Sequence, residues 1–211
     1  CKRNAGLVSL SNRDDEMLWA WREAIDRNAE AKEMLSSGSF GEQVILWDQP
    51  VTFTDADGAE HSVTVPAKCA IDLFSFTGKF ACLKTTRAKD LDEWERELER
   101  NHYPFSAAFY QLGIRSIPEF RDYAEPITHI VLCKAAPYYC YVKPLDREWM
   151  TYGMGEVAAA FQRYARCTHD MNNGMDPLAA WPDMLERNQL DPATPSMRAM
   201  ERYGKLAGEA V

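Results

Sequence analysis

The sequence predicts an α/β (α+β) domain, a central mixed β-sheet flanked by helices. Three observations predict it. Hydrophobic periodicity runs helical, then alternating, then helical again along the chain. The strand-like segments form two groups, Glu42 to Thr86 and 128–143, with helical segments before, between and after them. With 46% hydrophobic and 27% charged residues, the composition is that of a folded globular chain rather than a disordered one.

Each element has its own warrant. Residues 14–35 carry Met17, Leu18, Trp21, Ile25, Ala29 and Leu35 at helical spacing, behind the helix-starting acids Asp14 and Asp15. The Ser-Gly-rich stretch after them ends that helix. "EQVILWDQPVTFT" alternates like a strand, and "DADG" is a turn signal before "AEHSVTVPAKCAIDLFSF". A Gly78 turn leads into "KFACLKTT", which completes an antiparallel meander. "AKDLDEWERELER" places Leu91, Trp94 and Leu98 on one helical face, with i,i+4 charge pairs on the other. "YPFSAAFYQLGI" is apolar nearly all round and reads as a buried helix. "THIVLCKAAPYYCYVKPL" reads as two strands, around 128–134 and 138–143, split at Ala136-Pro137. Residues 146–167 form a long amphipathic helix, and the remainder is a Pro- and Asn-punctuated tail with one short helix. The organisation expected is a single domain over 1–211: an N-terminal helical segment (1–40), a core of sheet and helices (41–145), and a C-terminal helix with its tail (146–211).

Composition excludes several classes. No apolar run is long enough to span a membrane. The six cysteines are scattered without a CxxC pair, against a zinc ribbon or a compact iron–sulfur loop. Reduced, buried thiols in a cytoplasmic protein are the expectation. Cys1 as a first residue suggests a trimmed N-terminus. The net charge of −8 gives no basic footprint of nucleic-acid binding, although a locally basic site on an acidic chain is compatible with it.

One constellation carries chemistry. Glu42 lies at the helix-to-strand junction, Asp72 on the central hairpin, and Lys84 on the partner strand. Phosphodiester hydrolysis needs a divalent cation, which magnesium-type sites bind through one or two carboxylates. A lysine beside that cation orients the attacking water or stabilises developing charge. Strands about 5 Å apart bring such residues to one point.

These residues sit in a longer pattern. "AIDLFSFTGKFACLKTT", a helix, then "HYPFSAAFY" resemble the PD-(D/E)xK nuclease superfamily, specifically its RecE-like exodeoxyribonuclease branch. "AKEMLSSGSFGEQVILWD", "HIVLCKAAPYYCYVKPLDREWMTYG", Cys167 and the Trp181–Asp183 "WPD" extend the resemblance over roughly residues 25–185. It implies a restriction-endonuclease-like core and a metal-dependent exodeoxyribonuclease from a phage-type recombination module, using Mg²⁺ or Mn²⁺. It implies linear duplex DNA ends as substrate, a recombination partner protein, and homo-oligomeric rings. It also implies roles: Asp72 as first metal carboxylate, the Leu83 carbonyl as a backbone ligand, Lys84 as the catalytic lysine, and Glu42 as an accessory acid. Thr85 and Thr86 would line the site or contact phosphate, and Ser106, Tyr103 and Tyr110 would lie on a covering helix.

Three departures bear on activity. Cys82 stands where the family has its second acid, Ser106 where it has a helix glutamine, and no upstream histidine matches. Thiolate is a soft ligand, ill suited to magnesium, and Cys82 reads first as a small core hydrophobe. The four histidines show no arrangement that would partner a cysteine nucleophile. The tryptophans read as packing residues. The alternative function is therefore a catalytically degenerate nuclease fold serving as a DNA- or protein-binding module.

Overall fold

The structure, a computed structural model, describes residues 11–36, 40–55, 57–74 and 78–181. Its order is α1 (Asn12–Arg27), α2 (Ala29–Ser36), β1 (Phe40–Thr54), β2 (Glu60–Phe74), β3 (Ala81–Thr86), α3 (Leu91–Arg100) and α4 (Tyr103–Arg115). A 3-10 turn at Pro118–Phe120 precedes β4 (Thr128–Cys133), β5 (Cys140–Pro144), α5 (Arg147–Asn172) and α6 (Pro177–Ala180). The five strands form one mixed sheet in the order β1-β2-β3-β4-β5. The expected mixed sheet with flanking helices is the fold observed. No described helix is long and apolar enough to cross a membrane.

β2 and β3 pair antiparallel, with Leu73 opposite Ala81. β3 and β4 pair parallel, from Ala81 opposite Thr128 to Thr86 opposite Cys133. A parallel pair needs a long crossover, which α3 and α4 supply in the chain between them. β5 returns antiparallel on β4 after a cis Ala136–Pro137 bond.

The described residues fall into two compact units, drawn from the segments Cys1–Gln43, Ile71–Glu95 and Ile127–Pro144, and from Val44–Ala70, Arg96–Pro126 and Leu145–Val211. In the first, one sheet face packs on the N-terminal helices: Leu73, Ala81 and Ile130 are buried with Ala31 and Met34 of α2. Ser11 caps α1, its hydroxyl accepting from the Asp14 N–H at 3.2 Å. The single helix expected over 14–35 is two helices, and Asn28 is the reason. Its side-chain oxygen accepts from the Ala31 N–H at 3.0 Å and so caps α2, while its amide donates to the Cys140 carbonyl at 3.0 Å. An asparagine that caps and anchors a strand competes with helix continuation. The Trp21 indole donates to the Cys133 carbonyl at 2.7 Å, a second anchor. Trp19 corrects the packing expectation: it is 58% exposed, with the Arg22 guanidinium over its ring.

In the second unit, the β1–β2 turn is held by Asp55, whose carboxylate accepts from the Asp57 and Ala59 N–H groups. Gly58 takes the left-handed backbone that the turn requires (φ 83°). Val51, Phe53 and Val65 are buried with Ala165 of α5. The second close approach is between α4 and α5. A Cβ on Gly153 would stand 2.2 Å from the Pro104 carbonyl oxygen, so only glycine admits this packing. The 146–167 helix expected from the sequence extends to Asn172. The terminal helix expected in the tail, beyond α6, falls outside the described residues.

Candidate functional site

The first unit carries the candidate site on the sheet face opposite α2. Side chains alternate along a strand, and residues opposite in register share a face. On β3, Cys82, Lys84 and Thr86 therefore share one face, while Ala81, Leu83 and Thr85 lie on the other. The parallel register adds His129 beside Cys82 and Val131 beside Lys84. The β4–β5 register adds Lys143 beside His129 and Tyr141 beside Val131. Extending the Leu73–Ala81 pairing by one residue sets Asp72 opposite Cys82.

Asp72 is half-buried, and its carboxylate accepts from the Leu83 backbone N–H at 2.8 Å. This bond fixes the carboxylate against the strand that bears Lys84. Glu42 is exposed near the start of β1. The β1–β2 turn joins the Asp55 N–H to the Ala59 carbonyl. Buried odd-numbered residues then run without a slip through Ile45, Trp47, Val51 and Phe53, and through Val65, Ala67, Cys69, Ile71 and Leu73. Counting back along that register sets Glu42 opposite Asp72. Glu42 thus lies on the strand next to the one that bears Asp72.

Lys84 is half-buried and Thr86 is 3% exposed. The Thr86 hydroxyl accepts from the Ala88 N–H at 2.8 Å, bending the chain after β3 toward α3. Cys82 is 1% exposed. A buried thiol behaves as a small hydrophobe. His129 is also 1% exposed, with the Trp94 ring edge-on at 6.2 Å. Burial first, and the Lys84 cation second, pull its pKa down to about 3. Burial thus disfavours the charged imidazolium at this position.

Thr85 and the Leu83 side chain lie on the face away from Lys84, both exposed. Ser106, Tyr103 and Tyr110 are half-buried on α4 and belong to the second unit. His129, Trp94, Tyr141 and Lys143 were not singled out from the sequence as site residues. For His129, Tyr141 and Lys143 the signal is the strand register, because Cys82 and His129 are 47 residues apart in the chain but neighbours in the ladder; Trp94 shows only as part of the apolar stripe of α3.

The donor set determines what metal these residues fit. Asp72, Glu42 and the Leu83 carbonyl offer hard oxygen donors, which suit magnesium or manganese. Among the described residues, no three His, Cys, Asp or Glu side chains gather into a metal cluster. Magnesium keeps several waters and needs only one or two carboxylates, so the oxygen set fits and the buried Cys82 is not required.

A mixed sheet with an aspartate on one central strand and an x-Lys strand beside it defines the PD-(D/E)xK nuclease-like class. The model of the PDDEXK-like domain of unknown function (DUF3799) matches residues 57–177, more than half of the chain, and the chain belongs to that family. No curated protein matches the chain. Among solved structures, the chain is similar to a "putative exonuclease" from Eubacterium rectale, at 13% identity and a TM-score of 0.44. The likeness covers 73% of this chain and 52% of the other, so the chain spans about half the length of that protein.

Proposed function

We propose that this chain is a metal-dependent nuclease that hydrolyses phosphodiester bonds of DNA, acting at linear duplex ends as an exodeoxyribonuclease of the RecE-like type. One observation carries the reading. The Asp72 carboxylate is fastened to the Leu83 N–H at 2.8 Å, immediately before the half-buried Lys84. An acid held beside a lysine on a central sheet is an arrangement that this hydrolysis uses.

Asp72, Glu42 and the Leu83 carbonyl would hold Mg²⁺ or Mn²⁺. Such a cation, when bound, neutralises charge on the scissile phosphate and acidifies a bound water. The Lys84 ammonium offers three donors to the phosphate oxygens or to the attacking water. On the same sheet face Lys143, the ladder partner of His129, adds a second cation one strand further on. Thr86 shapes the floor next to Lys84, whereas Thr85 lies on the strand's other face and takes no part at Lys84. Ser106 and Tyr110 bind DNA from α4 in this reading. Ring-shaped homo-oligomers and a recombination partner extend the same resemblance, and light scattering of the purified chain tests the assembly.

The test is incubation of linear and circular duplex DNA with the protein and Mn²⁺ or Mg²⁺. Degradation of the linear form alone, lost in Lys84→Ala, supports the exonuclease. Degradation of both forms retains the nuclease and removes the end requirement.

One observation favours a second reading, a degenerate fold that binds DNA without cutting it. The second acid position holds a thiol that is 1% exposed. A silent wild type that gains cleavage on Cys82→Asp establishes this reading.

A further inference from the structure

A cavity of about 260 Å³ opens on the sheet face that bears Lys84. Its walls are Val131, Trp94 and Tyr141, and its polar rim is Thr86, Asp90 and Lys143. The registers place it: Val131 is the ladder partner of Lys84, and Tyr141 is the partner of Val131. The cavity therefore begins one strand away from the lysine.

We propose that this cavity takes the base of one unpaired nucleotide next to the phosphodiester held at Lys84, so that the chain engages frayed or single-stranded ends. The inference rests on the reading of Lys84 as a phosphate-binding group. Three features favour a nucleobase. The walls are apolar and aromatic, with a few polar groups at the rim, which is the chemistry of a heteroaromatic ligand site. The volume of about 260 Å³ accommodates a single heteroaromatic ring system. The site also continues outward as a stacking surface. Tyr139, just before β5, and Tyr141 on β5 are 52% and 39% exposed, with ring centroids 5.8 Å apart.

The parts are held in place before any ligand arrives. Trp94 is 6% exposed and braced edge-on by His129, so its ring is a fixed wall. Asp90 lines the cavity, and its carboxylate caps α3 by accepting from the Glu93 N–H at 2.8 Å. From there it can accept from the amino group of a base. Lys143 is exposed and lies beside the cavity, where it meets the phosphate next along the strand. Aromatic rings with a nearby cation are the recurring means of holding unpaired nucleotides.

The experiment uses the full wild-type chain in EDTA, so that binding is read apart from the metal-dependent cleavage. The probes are a labelled single strand of about ten nucleotides, within the span of known single-strand sites, and a sugar–phosphate strand of the same length without bases. Fluorescence anisotropy is expected to show tighter binding of the base-bearing strand. Tyr141→Ala should weaken that strand about tenfold and leave the base-free strand unchanged. Tyr141→Phe should restore affinity. Lys143→Ala should weaken both strands alike and lower the salt slope by about one. Equal affinity for the two strands, or an unchanged affinity in a folded Tyr141→Ala, overturns the pocket. If Lys84-dependent cleavage by the wild-type chain accompanies that result, the nuclease reading stands without the pocket. If neither strand binds, the pocket is overturned, and absence of cleavage in the parallel assay overturns the nuclease reading as well.

Discussion

The two faces of β2–β3–β4 are built from alternate residues of the same strands, yet they differ in nearly every respect. One face presents Leu73, Ala81 and Ile130 to α2, and its chemistry is burial alone. The other presents Asp72, Cys82, Lys84 and His129, whose environments range from half-exposed to fully buried. A strand lets one sequence satisfy two demands because its period is two. The apolar face secures the strand positions, and the polar face inherits their precision. Asp72 stays beside Leu83, and His129 beside Cys82, because the ladder behind them is fixed by packing.

The comparison breaks first on its apolar side. Ile130→Ala is expected to cost about 2–5 kcal/mol, read as a lowered urea midpoint. A loss under about 1 kcal/mol would mean that this face does not secure the sheet.

The next effect depends on pH. The pKa of His129 is pulled down to about 3 in the folded chain, against an ordinary value of 6.5. Below about pH 6.5 the unfolded chain therefore binds a proton that the folded chain refuses. This contribution to stability is complete above that pH and is lost as pH falls toward about 3. It amounts to at most ~1.4 kcal/mol per pH unit. Denaturation midpoints measured from pH 7 to 4 should fall more steeply in the wild type than in His129→Asn. Parallel slopes would place His129 in water rather than in the sheet.

Smaller again is Cys82→Ala, expected at about 1 kcal/mol, because a buried thiol is a small hydrophobe in a packed ladder. A change in midpoint of several kcal/mol would show that Cys82 does more than fill space. The smallest effect is that of Thr85→Ala. An exposed strand threonine is expected to change stability by no more than about 0.5 kcal/mol, and its place on the face away from Lys84 predicts unchanged DNA affinity as well.

The faces were unequally legible in the sequence. Alternation in "KFACLKTT" and "THIVLC" exposes the strands, and an aspartate followed by x-Lys on the next strand exposes Asp72 and Lys84. Such signals are local. The neighbours of Lys84 are not local: His129, Val131 and Tyr141 reach it through register, which no window of the sequence contains. Trp94 and Leu98 were legible as the apolar stripe of α3, but the part Trp94 plays as a cavity wall depends on what faces it. The apolar spacing continues across Asn28 and hides the break, which comes from a local cap on the Ala31 N–H and a hydrogen bond that reaches β5. Trp19 followed helical spacing and is nevertheless exposed, since spacing identifies a face and not the partner that covers it.

The central claim is that Lys84 works in chemistry and not in folding. Its most direct test is cleavage of linear duplex DNA by the wild type and Lys84→Ala side by side, with Mn²⁺, alongside their urea midpoints. The account predicts a rate at least 10²-fold lower in the variant, with midpoints that agree within about 0.5 kcal/mol. Equal cleavage by both proteins, or no cleavage by either with the fold intact, would contradict it.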